Sequence, residues 1–375
     1  MTSENKGIVS MVKCSSYGSN LEQAVFNLLD HIDKSNTLIT SGKKVLIKPN
    51  LLTDRDPSKA VTTHPEVVRC IIRYLKKQNA EICVADSPAS AVKVQRVWQQ
   101  TGFTALCEEE NVPLVNLEES GSKNINSNGF SFNIATPIID ADLVINVPKV
   151  KTHTLTLLTA GVKNYYGTLP GYQKAHMHKN HSSPSDFGKF LREIYSHIPP
   201  NINLADAVVG MEGNGPSGGN PVELGFLAAS TNAIALDMAL CRILKINPAH
   251  VPYLNCSSGT LDNIEIRGAD PSDISPASFR LPNTLPARLF PTWLMKALDP
   301  FLWFRPSIKD SCIACGRCIK ACPAEALDID TSIKKAVLSP DNCIGCCCCH
   351  EICPEQAIDM VQSPLIKFLT KGKDI

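Results

Sequence analysis

Ten of the 16 cysteines fall in the last 64 residues, in two copies of one pattern. The first is Cys312, Cys315, Cys318 and Cys322, followed by Pro323; the second is Cys343, Cys346, Cys349 and Cys353, followed by Pro354. In a C-x2-C-x2-C-x3-C-P run, three sulfurs of a tight loop converge on one face of a cuboidal 4Fe-4S cluster, and the fourth turns away to its neighbour. The spacing therefore predicts two 4Fe-4S clusters with crossed ligand sets. Cys312, Cys315, Cys318 and Cys353 would hold one, and Cys343, Cys346, Cys349 and Cys322 the other. A chain so equipped handles electrons one at a time.

The repeat extends past the ligands. A shift of 31 residues places Asp310 on Asp341, Ala326 on Ala357, Leu327 on Ile358 and Asp328 on Asp359, the mark of an internal duplication. Zinc favours closed sets of four ligands in cysteine pairs, and disulfides belong to secreted chains, so both explain the spacing less well. One departure is the run Cys346–Cys349. Cys347 stands where the first copy has Gly316, and Cys348 adds a second extra thiol. Two readings stay open: small reduced fillers of the loop, or an alternative ligand or redox-sensitive thiol.

At 375 residues the chain has room for two or three domains, and 43% hydrophobic against 19% charged residues supports a large buried core. The formal net charge is +1, with no basic stretch and no acidic tail, so nucleic acid is not an expected partner. Residues 1–6 lack the layout of a signal peptide. No apolar run approaches the ~20 residues of a membrane span, so no transmembrane segment is expected. Clusters together with the scattered Cys14, Cys70, Cys83, Cys107, Cys241 and Cys256 point to a reducing cytoplasm. Residues 284–306 hold four prolines and two of the three tryptophans. A membrane-surface helix would carry more Lys and Arg there. The stretch predicts instead a hydrophobic, proline-rich linker at 286–306, docking the domains through Phe290, Trp293, Leu294, Leu298, Phe301 and Trp303. It divides an α/β domain at 1–285 from a cluster domain at 307–362, with a tail at 363–375.

The first 285 residues alternate apolar runs with amphipathic stretches, which predicts a large mixed α/β domain beside a small C-terminal α+β cluster domain. Strands are expected at 44–47, 81–85, 142–147, 204–209 and 223–228, and helices at 65–77, 92–100, 185–196 and 233–244. In open parallel sheets, ligands bind outside the carboxyl ends of strands. Three such ends carry Lys48-Pro49-Asn50, Asp86-Ser87-Pro88 and the run Lys149 to His153. In extended chain Lys149, Lys151 and His153 point to one side, a cationic pocket suited to a carboxylate, phosphate or enolate. Each lysine alone fits a solvated loop; three converging ends favour a site. His176, His178 and His181 have a spacing that metal ligands can use, but their polar surroundings predict a mobile, loop-like lid with incidental histidines. The run Gly210–Gly219 holds five glycines in ten residues. It reads equally as a backbone cradle for an anion or a tight connection between strands, and it matches no nucleotide-binding motif.

The phrases VLIKPNLL, TTHPEVV, ADSP, LVINVPKVKTH, GVKNYYGTLPGYQK and GMEGNGPSGG cover most of residues 7–245. In that order they resemble the iron–sulfur proteins of the domain of unknown function 362 family, where a doubled ferredoxin motif is a common companion. The resemblance implies that Lys48, Asn50, His64, Asp86, Lys149, Lys151, His153, Lys163, Asn164, Glu212 and Gly215 hold the family's motif positions, and it assigns them no roles.

Together these readings give an expected oxidoreductase that exchanges electrons with an external donor or acceptor protein and acts on a small-molecule anion. Lys149 and Lys151 would neutralise that anion, His153 would donate the proton, Asp86 would orient a base or ligand, and Lys48 is a further catalytic candidate. Asn50, Lys163, Asn164, Glu212, Gly213 and Gly215 would bind a second, unidentified cofactor. The alternative is a non-catalytic ferredoxin-like carrier whose large domain recognises a partner or metabolite. A third reading is redox-neutral chemistry with regulatory clusters.

Overall fold

Val45 to Pro49, Val84 to Asp86 and Leu143 to Val147 are buried without alternation. That is the pattern of parallel strands covered on both faces. They form the centre of a ten-stranded mixed sheet. The computed structural model describes residues 7–35, 37–89, 91–255, 264–274, 276, 278–282 and 303–365. Most of the expected linker, with Phe290, Trp293, Leu294, Leu298 and Phe301, lies outside the described residues, as do Cys256 and residues 366–375.

In chain order the strands are β1 (Gly7–Lys13), β2 (Lys44–Pro49), β3 (Glu81–Asp86), β4 (Leu114–Asn116), β5 (Ser122–Ser127), β6 (Phe130–Ala135), β7 (Leu143–Val147), β8 (Lys149–His153), β9 (Leu157–Thr159), β10 (Asn201–Glu212), β11 (Asn220–Ser230) and β12 (Ile264–Gly268). The sheet runs β12-β1-β11-β10-β7-β2-β3-β4, with β8 on β10 and β9 on β8; β5 and β6 form a separate hairpin. Strands β10, β7, β2, β3 and β4 are mutually parallel. The start of β10 pairs with β7, Asn203 opposite Asn146, and its later part pairs with β8, Asp206 opposite Lys149. Pro148 sits at the handover. There the chain follows β10 and parts from β2, which opens a crevice beyond the carboxyl end of β2.

Alternate strand residues feed two cores. Leu46, Val144 and Ala205 pack under helices Pro184–Ser196 and Ala233–Ile243. Val45, Ile47, Ile145 and Leu204 pack under helices Leu21–Ile32 and Pro65–Lys77. The last of these begins with proline at its first position and ends in Lys76 and Lys77, both favoured there. Its buried Val67, Val68, Ile71, Ile72 and Leu75 make one stripe.

The C-terminal unit pairs β13 (Phe304–Ile308) with β16 (Ile358–Gln362) and β14 (Leu327–Asp330) with β15 (Lys335–Leu338), both antiparallel. Two short helices, Arg317–Ala321 and Cys348–Ile352, repeat at the 31-residue shift. Gly316 and Cys347 precede them with φ of 73° and 69°. Cys347 thus takes a left-handed backbone position that the first copy gives to glycine.

The two units are bolted together. Arg317 grips Asp54 through both guanidinium nitrogens at 2.8 and 2.9 Å, and Arg55 donates to the Cys353 carbonyl at 2.6 Å. Burial would raise the Asp54 pKa, but the Arg317 hydrogen bonds prevail and hold it below the ordinary carboxylate value. The glycine-rich run is the β10–β11 connection, and it docks the cluster unit. Asn214 and Ser217 offer carbonyls to His350 at 2.9 Å and to Gln356 at 3.2 Å. A Cβ on Gly218 would lie 2.6 Å from the His350 ring, so only glycine permits this approach.

Candidate functional site

The crevice beyond β2, β3 and β8 is closed on its far side by helix Cys348–Ile352. The resulting cavity has an empty volume of about 830 Å³, its open mouth included. It is lined by four lysines (Lys48, Lys151, Lys163, Lys174) but by two carboxylates, Asp86 and Glu351. The surplus is cationic.

Lys48 and Asp86, both buried, neutralise each other at 2.6 Å, and Asp86 also accepts from the Leu51 amide at 2.7 Å. Lys151 donates to the Val61 carbonyl at 2.6 Å and to Asn50 at 3.2 Å. Asn50 donates to Asn164 at 2.8 Å, and Asn164 to Asn146 at 2.7 Å. This amide chain fixes the ammonium. Burial pulls the Lys151 pKa down to about 7, against the opposing pull of Glu351. Lys174 donates to the Ser87 and Pro88 carbonyls at 2.8 and 2.7 Å and to the Ser87 hydroxyl, and burial lowers it to about 8.

His153 accepts the Leu155 amide at Nδ1 (2.9 Å), so the ring proton sits on Nε2, 3.1 Å from Glu351 Oε1. Lys163 has no hydrogen-bond acceptor among the described residues. Its ammonium lies 4.5 Å over the Tyr166 ring and 5.5 Å over that of Phe187, and burial lowers its pKa. His178 stacks on Phe187 at 4.5 Å, and burial pushes it down to about 3, keeping it neutral. The Cys348 thiol also lines the cavity and shares a hydrogen bond with the Cys346 sulfur.

Two smaller cavities lie in the C-terminal unit. One, of about 330 Å³, is lined by Cys312, Cys315, Cys318 and Cys353; the other, of about 320 Å³, by Cys322, Cys343, Cys346 and Cys349, with Cys347 beside them. Among the described residues no three ligand side chains lie close enough for a single metal ion. Four sulfurs around a void, and not at a point, fit a cuboidal cluster better than a lone ion. Amides of Ala326 and Ala357 donate to Cys322 and Cys353 at 3.2 Å each, related by the same 31-residue shift.

Residues 45–242 match the family model of a domain of unknown function (DUF362). The chain belongs to the DUF362 family. Residues 311–357 match a 4Fe-4S dicluster domain, so this DUF362 member is an iron–sulfur protein of the electron-transfer kind. It is 33% identical over 249 residues to a thylakoid-associated protein of Synechocystis sp., spanning 66% of this chain and 77% of that one. The lactate racemase apoprotein of Thermoanaerobacterium thermosaccharolyticum superposes with a TM-score of 0.43 at 16% identity, over 66% of this chain and 59% of that one. A Thermotoga maritima structural-genomics protein gives 0.37 at 12% identity, over 69% and 62%. This chain thus spans less than two thirds of either solved structure. Among the described residues no helix is long and apolar enough to cross a membrane.

Of the residues expected at the DUF362 site, Lys48, Asn50, Asp86, Lys151, His153, Lys163 and Asn164 line the cavity. Lys149 does not. It is buried against Asp206 at 2.5 Å, with the Tyr17 hydroxyl 2.8 Å away and His64 stacked on the Tyr17 ring. Glu212 binds Arg280 at 2.6 Å, and Gly213 donates to the Arg280 carbonyl at 2.7 Å. A Cβ on Gly215 would lie 2.2 Å from the Thr152 carbonyl. These three pin the β10–β11 connection and do not line the cavity themselves, although the adjoining Pro216 does. The expected lid is instead a helix, Gln173–Asn180, and its histidines diverge: His176 is exposed, His178 faces the cavity, and His181 stacks on Phe190. Lys174, Tyr166, Thr159 and the roof residues Cys348 and Glu351 are cavity residues that the sequence reading left unassigned.

Proposed function

We propose that this protein is an oxidoreductase that takes single electrons from an external donor protein and passes them to a small anion held in the lysine-lined cavity. The observation that carries the reading is the shared wall. Cys348, Glu351 and Ile352 roof the cavity, and they belong to the helix that carries Cys349 of the second motif. Two 4Fe-4S clusters, held by the crossed sets of four cysteines, supply electrons one at a time when bound. The division of the chain at 286–306 and a reducing cytoplasmic setting belong to the same reading.

Within it, the protein's own residues bind and protonate. Lys151, oriented by Asn50 and Asn164, neutralises the anion. Lys48 is held by Asp86 and shapes the floor. His153 keeps a transferable proton on Nε2 beside Glu351. The roof helix excludes water, which strengthens each of these interactions.

The test is anaerobic. Protein reduced with dithionite is mixed with small unsaturated or carbonyl carboxylates, and return of the oxidised cluster absorption is followed. Reoxidation that disappears in Lys151→Met, with dithionite reduction intact, supports the reading. A wild-type protein that no such anion reoxidises, yet reduces a partner protein as fast as Lys151→Met does, is a carrier.

A further inference from the structure

Among the described residues, three nitrogen or hydroxyl groups in the cavity wall make no hydrogen bond, and neither does one carboxylate oxygen there, Glu351 Oε1. Thr159 Oγ1 and His178 Nδ1 are buried, the residues being 3% and 4% exposed, and neither makes a hydrogen bond among the described residues. The third is the half-buried Lys163 ammonium, which lies against two rings, has Glu351 as an opposing charge and makes no hydrogen bond among the described residues. All three line the same cavity. Lys163 and His178 lie against the same two rings, Tyr166 and Phe187. Thr159 ends β9, just before helix Gly161–Asn164, which carries Lys163. They form one cluster. Buried polar groups are ordinarily paired, because an unmatched one carries a desolvation penalty. Three unmatched groups that face one void are matched by what enters it.

Their chemistry selects the ligand. Thr159 and Lys163 are donors, and neutral His178 donates when its proton is on Nδ1. Of the nearby carboxylates, Asp86 is held by Lys48 at 2.6 Å, and Glu351 lies 3.1 Å from His153 Nε2, though its Oε1 makes no hydrogen bond. Phosphate sites are typically built from successive backbone amides in a nest or at a helix start, which this cluster does not use. Side-chain donors with one unpaired ammonium match a singly charged, two-oxygen group. The rest of the wall is mixed: Leu51, Leu52, Ala89, Ala91 and Ile352 are apolar, while Lys48, Asp86, Lys151, His153 and Lys174 are polar or charged.

We propose that Thr159, Lys163 and His178 form a carboxylate-binding subsite, and that the cavity takes a small monocarboxylate. This names the substrate class of the cavity described above and rests on that reading only in treating the cavity as a substrate site.

Calorimetric titration of the oxidised, cluster-loaded full chain tests it without electron transfer. Butyrate is the probe, with its neutral isostere butyramide and inorganic phosphate as comparators. Butyrate should bind saturably and butyramide should not. Lys163→Met should weaken butyrate by about 10- to 100-fold, the scale of one charged hydrogen bond, and raise the melting temperature by removing a buried charge. Thr159→Val, with no change of shape, should weaken it by about 2- to 10-fold. The exposed Lys189→Met should change neither. Absence of butyrate binding, equal binding of butyramide, or unchanged affinity in both site variants overturns the subsite, and stronger binding of phosphate overturns the carboxylate class. Butyrate binding in a protein whose reduced clusters no carboxylate reoxidises would fail the electron-transfer reading alone.

Discussion

Nε2 of His153 and Oε1 of Glu351 meet 3.1 Å apart, across the seam between the sheet and the cluster unit. One residue ends β8; the other lies between two expected cluster ligands. Glu351→Gln keeps an oxygen beside the imidazole N–H but removes the negative charge that His153, His178 and Lys163 face, so it should lower stability, though by less than loss of both oxygens does. Glu351→Leu removes the carboxylate that lies 3.1 Å from that N–H, and should cost about 1–3 kcal/mol. Chemical denaturation of the cluster-loaded variants measures the difference.

Anion affinity should depend on pH in a set direction. Burial has lowered Lys151 to about 7 and Lys174 to about 8, so both are charged below those values and lose protons above them. Butyrate affinity should therefore fall as pH rises from 6 to 9, and binding near pH 7.5 should take up protons. Titration in two buffers of different ionisation enthalpy measures the uptake, and Lys151→Met should remove the lower step.

Asp237 supports the Lys163 helix from beneath. Its carboxylate accepts the Gly161 and Val162 amides at 2.6 and 3.0 Å, yet burial outweighs these bonds and pushes its pKa up to about 7 from 3.8. A raised folded-state value stabilises most below the unfolded pKa, so this contribution is complete below 3.8 and is lost as pH rises through about 7. Asp237→Asn cannot accept both amides and should cost about 1–3 kcal/mol at pH 5. Denaturation from pH 5 to 8 should show the gap to wild type narrowing as pH rises.

The crossed ligation has a simple signature. Cys353→Ser, although in the second motif, should disturb the cluster otherwise held by Cys312, Cys315 and Cys318. Cys322→Ser should disturb the other. Paramagnetic resonance of the reduced variants separates the two, and a disturbance confined to each residue's own motif would refute the crossing.

Cys347 is open to a gentler test. At φ 69° it pays the left-handed penalty that Gly316 avoids. Cys347→Gly should leave the iron content unchanged and raise stability by about 1 kcal/mol. A fall in iron and sulfide content would make it a ligand.

Much of the frame was legible because it rests on period and punctuation. The buried runs of β2, β3 and β7 and the proline-started helix Pro65–Lys77 lie where the sequence puts them. The ends of those strands converge, as open parallel sheets require. Helix Gln173–Asn180 was illegible for a physical reason. Its inward residues are Lys174 and His178, one turn apart, so the face turned to the cavity is polar and gives no apolar stripe. Lys149 was misplaced because a period of two fixes which side a residue faces, not what it meets there. Asp206, on the neighbouring β10, claims it first. The roof was hidden because Glu351 and Cys348 are far in sequence from everything they face.

That roof ties the site to its own loading. Metal binding and folding are coupled in small ligand-rich modules, and helix Cys348–Ile352 lies between two cysteines of the second motif. A chain that has not received its iron and sulfide would leave the lysine-lined crevice open to water, with His153 deprived of Glu351. Damage that strips the clusters would then close down the chemistry and the catching of substrate together. The protein would seize its anion only when its clusters are in place.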